Sequence, residues 1–334
     1  MKLNKSIKIF INYFLGPLLF IWVSYSIYHQ LQRQPGLEKS WKTISSSFKS
    51  PKILYLVATF LLMIVNWGIE AFKWKLLVRR IQPVSYSTAF KAVLSGTSFS
   101  VTTPNRVGEY LGRVLYMNEG NRLKAVALTI AGSMSQLIVT LFMGITGFFI
   151  LQRRIGDSHV LSPVWVKAIV YSVLILLLVL TVFYFRLSGI IRWVDRLPGI
   201  KKYAWLLRAL EEFNATMMLQ LLSLSGLRFL VFVIQYYLLF RLYNVDVSWW
   251  QGLWAVSVSF LVMAVIPTIA LFTDLGLRGE VSLKLIGLFS GNSLGIWLTA
   301  VNIWFINLII PALAGSLLIL GIKRIFKNNN DETT

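Results

Sequence analysis

Two short polar islands stand inside an otherwise apolar chain, and they hold the residue types able to act on a charged partner. The first is Thr102-Thr103-Pro104-Asn105-Arg106-Val107-Gly108-Glu109, with Arg113 just beyond it; the second follows Pro267 and runs Asp274-Leu275-Gly276-Leu277-Arg278-Gly279-Glu280. Arginine presents a planar fork of donors that matches a phosphate or carboxylate. Glu109, Asp274 and Glu280 can orient those guanidiniums or receive a cationic group. Charged side chains are costly at membrane depth and persist there when paired or facing a polar pathway, so both islands are candidate sites.

On a helix beginning after Pro104, Arg106 and Glu109 lie three apart and Glu109 and Arg113 four apart, so they share a face. Its first turn also offers free backbone N–H groups to an anion. Asp274 to Arg278 and Glu280 to Lys284 repeat the spacing of four with alternating sign. Arg106, Glu109, Arg113, Asp274, Arg278 and Glu280 are therefore the expected lipid-headgroup residues. Pro104, Gly108, Pro267, Gly276 and Gly279 are expected to break helices, proline by lacking a donor and glycine by allowing close backbone approach. Asn105, Glu70 and Arg228 are supporting residues. Glu70, beside Asn66 and Trp67, can face the first island; Arg228 lies too deep in its apolar segment to reach water and needs an acid inside the bundle. The sequence does not name that acid. The first island also reads as a salt-bridged helix start with no ligand.

The elements that must position these residues are apolar. Of 334 residues, 56% are hydrophobic and 14% charged, which defines an integral membrane protein. A crossing helix needs about 20 apolar residues. Ile9–Tyr28, Ile53–Phe72, Val126–Leu151, Val164–Phe185, Leu219–Leu242 and Leu294–Ile322 meet that length. Two further stretches, Ser87–Val101 and Trp249–Phe272, adjoin the islands and read as arms of re-entrant hairpins. The expected fold is an all-α integral membrane protein with about six full transmembrane helices and two re-entrant or broken helical hairpins. A faint repeat of Pro, Gly and Glu with Arg nearby admits an inverted repeat. The alternative, that both islands belong to simple spans, stays open.

One polytopic membrane domain is expected over residues 1–327, with amphipathic segments near 37–50 and 190–213 and a disordered tail over 328–334. The formal charge of +20 follows from basic residues gathering in cytoplasmic loops, where they also attract anionic lipid. Lys73 is counted with the first such loop, beside Lys75, Arg79 and Arg80. This distribution places both termini on the cytoplasmic side of the cytoplasmic (inner) membrane. Nucleic acid is not an expected partner. Membrane lipids are, and a membrane enzyme or a second copy of the chain is admitted.

Cysteine is absent and the histidines are His29 and His159 alone, so no metal site and no cofactor is expected. No serine has a base within reach by sequence, and Asp274 with Glu280 lacks the second acidic cluster of a metal-dependent phosphotransferase. The chain is not expected to be an enzyme, although an intramembrane transferase acting on lipid phosphates is the catalytic alternative.

The stretch from Asn66 through Phe72-Lys73-Trp74-Lys75-Leu76-Leu77, then Gly96 and Thr103-Pro104-Asn105-Arg106-Val107-Gly108-Glu109, and later Gly276-Leu277-Arg278-Gly279-Glu280, resembles the transmembrane region of lysylphosphatidylglycerol synthases, the flippase-like family. The resemblance covers nearly the whole chain and implies lipid handling or translocation of an anionic or aminoacylated phospholipid or a polyprenyl-phosphate-linked lipid. Synthase activity is not expected without a soluble aminoacyltransferase domain. The second motif departs from the family pattern of Pro-Gly-Gly leading into Gly-x-Arg-Glu: here Pro267 precedes Thr268-Ile269-Ala270, and Gly279 separates Arg278 from Glu280. The functional expectation is a lipid flippase or lipid-binding transporter. The alternative is a non-catalytic accessory subunit of an envelope glycosyltransferase or lipid-modifying enzyme, recruiting it through the basic segment 190–213.

Overall fold

The computed structural model describes residues 37–101, 103, 107–157, 163–186, 189, 214–266 and 271–319. The expected span Ile9–Tyr28, the basic segment 190–213, the tail, and Pro104, Asn105, Arg106 and Pro267 lie outside the described residues.

Among the described residues the chain is helical, with no strand. The helices are α1 (Leu37–Phe48), α2 (Ile53–Val78), α3 (Tyr86–Val101), α4 (Gly108–Val114), α5 (Arg122–Asp157), α6 (Pro163–Phe185), α7 (Ala215–Leu242), α8 (Trp249–Val265), α9 (Leu271–Ile286) and α10 (Ser293–Trp304). A π-helical turn, Phe305–Ile309, follows α10 before helix resumes to residue 319. Among the described residues four stretches are long and apolar enough to cross a membrane: Ile53–Val78, Glu119–Gly156, Ala215–Leu242 and Ser293–Ile319. In lipid each backbone N–H and C=O must be satisfied within its own segment, and the helix does this. The sides that carry Leu54, Val57 and Leu61 of α2 and Ile175, Leu178 and Val182 of α6 are bare aliphatic surface, as contact with acyl chains requires.

The stretches beside the islands form shorter elements. Ser87–Val101 falls within α3, which packs along α4. Trp249–Phe272 is not one helix: α8 ends at Val265 and α9 begins at Leu271, and the two pack together. One expectation is corrected here. Gly276 and Gly279 do not break a helix; α9 runs through both. A helical glycine costs only about 1 kcal/mol against alanine, less than leaving backbone groups unsatisfied in an apolar surrounding. Both glycines are buried, so what they provide is a thin helix face.

The chain forms two compact units. The first comprises Met1–Met63, Leu137–Leu180 and Phe229–Trp304; the second comprises Ile64–Gln136, Thr181–Arg228 and Phe305–Thr334.

In the first unit the core gathers Phe229, Val233, Tyr236 and Phe240 of α7 with Leu253, Val256 and Val258 of α8 and Ile296 and Ile303 of α10. The α8 N-terminus is closed by a capping box, Ser248 receiving the Gln251 N–H while the Gln251 side chain receives the Ser248 N–H. Gly144 and Gly147 bring α5 against α8: a Cβ on Gly147 would sit 2.9 Å from the Trp254 carbonyl oxygen. Asn244, at φ 54°, turns the chain after α7 and ties in α1. Its amide donates to Ser47 Oγ at 2.8 Å and accepts from Lys52 Nζ at 2.5 Å.

In the second unit Ala71, Trp74 and Val78 of α2 pack with Ala89, Ala92 and Val93 of α3, and with Met117 and Ala125. Trp74 Nε1 donates to Thr129 Oγ1 of α5 at 3.1 Å, which satisfies its one polar group. Where α3 meets α4 the contact is backbone on backbone. A Cβ on Gly96 would lie 2.7 Å from the Glu109 carbonyl oxygen, and one on Gly112 would collide with Ser95 and Gly96.

Candidate functional site

The second unit holds a buried charge centre built on α2. Asn66, Glu70 and Lys73 recur at helical spacing and share one face. Arg228 and Ser225 of α7 and Glu109 and Arg113 of α4 meet that face. Glu70 Oε1 accepts from Arg113 Nη2 at 2.9 Å, and Glu70 Oε2 accepts from Arg228 Nη1 at 2.5 Å and from Lys73 Nζ at 2.9 Å. Arg113 Nη2 also donates to Glu109. Arg228 Nε donates to Asn66 Oδ1 at 2.8 Å, and its guanidinium lies 5.5 Å from the centre of the Trp67 ring. Lys73 Nζ reaches Ser225 Oγ at 3.4 Å, and Ser225 meets Ser135 Oγ of α5 at 2.8 Å.

Local structure sets each of these groups. Gly96 and Gly112 let α4 lie close enough to α3 for the Arg113 stem to run beside Gly96. Gly108 opens α4 rather than interrupting it: its N–H donates to Thr103 Oγ1 at 2.7 Å, while Thr103 donates to the Phe99 carbonyl at 3.0 Å. That pair of bonds supplies the orphan amide of a helix start.

Burial makes the centre electrostatically demanding. Lys73 and Arg113 are each 1% exposed and Glu70 5%. Ions removed from water need partners, and one carboxylate here serves three cations. With all five groups ionised, Glu70 and Glu109 against Lys73, Arg113 and Arg228 leave one positive charge in excess. Three buried donors, Asn66 Nδ2, Trp67 Nε1 and Arg113 Nε, have no partner among the described residues. The Asn66 amide is not simply reversed, because its oxygen is held by Arg228. A surplus of donors and of positive charge is the requirement of an anion.

The first unit holds a second, looser centre on α9. Arg278 Nη2 lies 3.5 Å from Asp274 Oδ2, and Arg278 Nη1 lies 3.4 Å from the Tyr236 hydroxyl of α7. Arg278 Nε has no partner among the described residues. Glu280 pairs with Lys284 at 3.4 Å toward a more exposed surface.

The expected residues therefore divide by unit. Glu109, Arg113, Glu70 and Arg228 are drawn together in the second; Asp274 and Arg278 meet in the first, with Glu280 turned to Lys284. The acid that Arg228 needs is Glu70. Lys73 corrects the charge count of the loops, since it is a buried member of the centre rather than a loop cation. Its spacing from Asn66 and Glu70 on one helical face is the signal that identifies it. Ser225 and Ser135 carried no signal beyond being small and polar in apolar helices.

Apolar helices of membrane-crossing length, one of them carrying a buried, cation-rich polar centre, define a multi-pass membrane protein. The chain belongs to the family described as the lysylphosphatidylglycerol synthase TM region, whose model matches residues 13–315. That membership places it in a lipid-related role in the membrane. No curated protein matches the chain.

Proposed function

We propose that this protein binds a lipid by its charged headgroup and moves it across the cytoplasmic membrane, as a flippase-like transporter with both termini on the cytoplasmic side. The observation that carries the reading is the Glu70 centre: five ionisable side chains, three basic and two acidic, and three buried donors with no partner among the described residues. A phosphate-bearing headgroup supplies both the charge and the acceptor oxygens, and Arg113 and Arg228 supply the planar donors that such oxygens fit. The Asp274–Arg278 pair is a second polar station for the headgroup. In this reading the chain performs no covalent step.

Mass spectrometry of the lipids retained by purified protein tests it, comparing wild type with Arg113→Gln and Arg228→Gln and pairing each with a liposome translocation assay. Selective enrichment of one class of phosphate-bearing lipid, lost in both variants along with at least a tenfold fall in translocation, is expected. Retention of bulk membrane lipid in identical proportions by all three proteins would reduce the arginines to structural ion pairs.

A further inference from the structure

Charge balance sets Lys73 apart from its neighbours. Among the described residues the groups that face it are Glu70 on its own helix, Arg228 and Ser225 on α7, and Arg113 with Glu109 and Tyr110 on α4. Beyond Ser225 lie the hydroxyls of Ser135 on α5 and Tyr184 on α6. Arginines keep their protons throughout the physiological range, and Glu70 and Glu109 are each held by an arginine. Two arginines and two carboxylates sum to zero. Lys73 is the fifth charge, it is 1% exposed, and it is the cation of the three that can give up its proton. An uncompensated charge in a medium that water does not reach is expensive, and a buried lysine relieves that cost by becoming a neutral amine.

The surroundings of Lys73 Nζ suit both forms. As an ammonium it donates to Glu70 Oε2 and to Ser225 Oγ. As an amine it still donates to Glu70 and accepts from the Ser225 hydroxyl, which rotates to do so. When Ser225 donates to Ser135 instead, the Ser135 hydroxyl donates to the Gly132 carbonyl at 2.6 Å. No other side chain need move.

We propose that entry of a singly charged anionic group into this centre is coupled to uptake of one proton by Lys73. The empty centre is neutral with Lys73 as the amine. The occupied centre is neutral again, the new ammonium balancing the anion that Asn66 Nδ2, Trp67 Nε1 and Arg113 Nε receive. The proton comes from hydronium or a buffer acid of the aqueous phase: its bond to that donor breaks as the N–H bond forms on the amine lone pair, and no other covalent bond changes. The inference rests on the reading of the centre as a headgroup site and adds an energy source to it, because each anion carried brings a proton with it.

Calorimetric titration of the full-length protein in detergent, repeated in two buffers of unlike ionisation enthalpy between about pH 7 and 9, counts protons exchanged per ligand. The ligands are dioctanoyl phosphatidylglycerol and dimethyl phosphate, the same diester chemistry with and without acyl chains; neither titrates in this range. One proton taken up per phosphatidylglycerol, with affinity falling about tenfold per unit rise in pH, is expected. Uptake with both ligands assigns the coupling to the anion itself, and uptake with the lipid alone assigns it to a headgroup delivered by its chains; either supports the proposal. Binding that remains in Lys73→Arg should show neither proton uptake nor pH slope, and Lys73→Met should likewise lose both. Wild-type binding without buffer dependence, or undiminished uptake in Lys73→Arg, would overturn the coupling and leave the headgroup site standing. Failure of wild type to bind either ligand would overturn the headgroup reading and this inference with it. The wild-type proton count decides even where a variant does not fold.

Discussion

Arg113 and Arg228 hold opposite oxygens of one carboxylate, Glu70, and so link α4 and α7 through α2. The helices bearing these arginines are far apart in sequence, and the Glu70 carboxylate touches both. Removing it leaves Arg113 and Arg228 with Glu109 as the remaining carboxylate of the centre and takes away the acceptor of Lys73 Nζ. Breaking a buried ion pair by deleting one partner costs roughly 3–5 kcal/mol. Glu70→Gln is therefore expected to lower the thermal midpoint in detergent sharply or to abolish folded yield. The double variant Glu70→Gln/Lys73→Met, which also removes the buried amino group left without its carboxylate, should recover part of the loss. Size-exclusion profiles and thermal unfolding of the two proteins side by side check this, and an unchanged midpoint in Glu70→Gln would mean that the network contributes nothing to holding the second unit together.

Gly112 meets Gly96 at a crossing that has no room for a side chain. Valine at 112 must push α4 away from α3, and Arg113, the next residue, moves with it. Overpacking of this kind costs about 1–3 kcal/mol. Gly226, in the interior of α7, has nothing within 4 Å of the position its Cβ would take. Gly226→Ala is expected to be neutral or to stabilise by up to about 1 kcal/mol through helix propensity. Thermal unfolding of the two variants together separates crowding from a general intolerance of glycine replacement.

At Asn244 the backbone adopts φ 54°, which asparagine accepts and most residues resist. The side chain adds the bonds to Ser47 and Lys52. Asn244→Ala loses both advantages, whereas Asn244→Gly keeps the backbone freedom and loses only the bonds. Alanine should thus cost more than glycine by about 1–2 kcal/mol. Equal midpoints for the two variants would show that the amide bonds, not the backbone, carry the effect.

The sequence showed the helices and the polar islands more clearly than the centre that unites them. Leu219–Leu242 and Val126–Leu151 were legible because a membrane span announces itself by length and hydropathy alone. The pairs Glu109–Arg113 and Asp274–Arg278 were legible because four residues on a helix bring side chains together. The meeting of Glu70 with Arg228 was not, since it depends on how α2 packs against α7, and no local spacing encodes that. Lys73 was misplaced for a related reason. A lysine near the end of an apolar run looks like a loop residue until its helix is seen to continue to Val78. The glycines of α9 misled in the opposite direction: local propensity marks them as breaks, while an apolar environment forces the helix through them.

The Asp274–Arg278 pair differs from the Glu70 centre in how tightly it is made. Its separations of 3.5 Å to Asp274 and 3.4 Å to Tyr236 are longer than the 2.7–3.2 Å of a well-formed hydrogen bond. Interactions this long are weak as hydrogen bonds, so a double-mutant cycle on Asp274→Asn and Arg278→Gln should return less than the roughly 3–5 kcal/mol lost when a tightly made buried pair is broken. A half-buried arginine whose nearest acid lies at 3.5 Å and whose Nε has no partner among the described residues suits the second headgroup station proposed above. Arg278→Gln is accordingly expected to lower lipid translocation at least tenfold while shifting the thermal midpoint by only a few degrees. A coupling energy of several kcal/mol, or a midpoint that collapses together with transport, would instead make Arg278 a structural partner of Asp274 and confine headgroup recognition to the Glu70 centre.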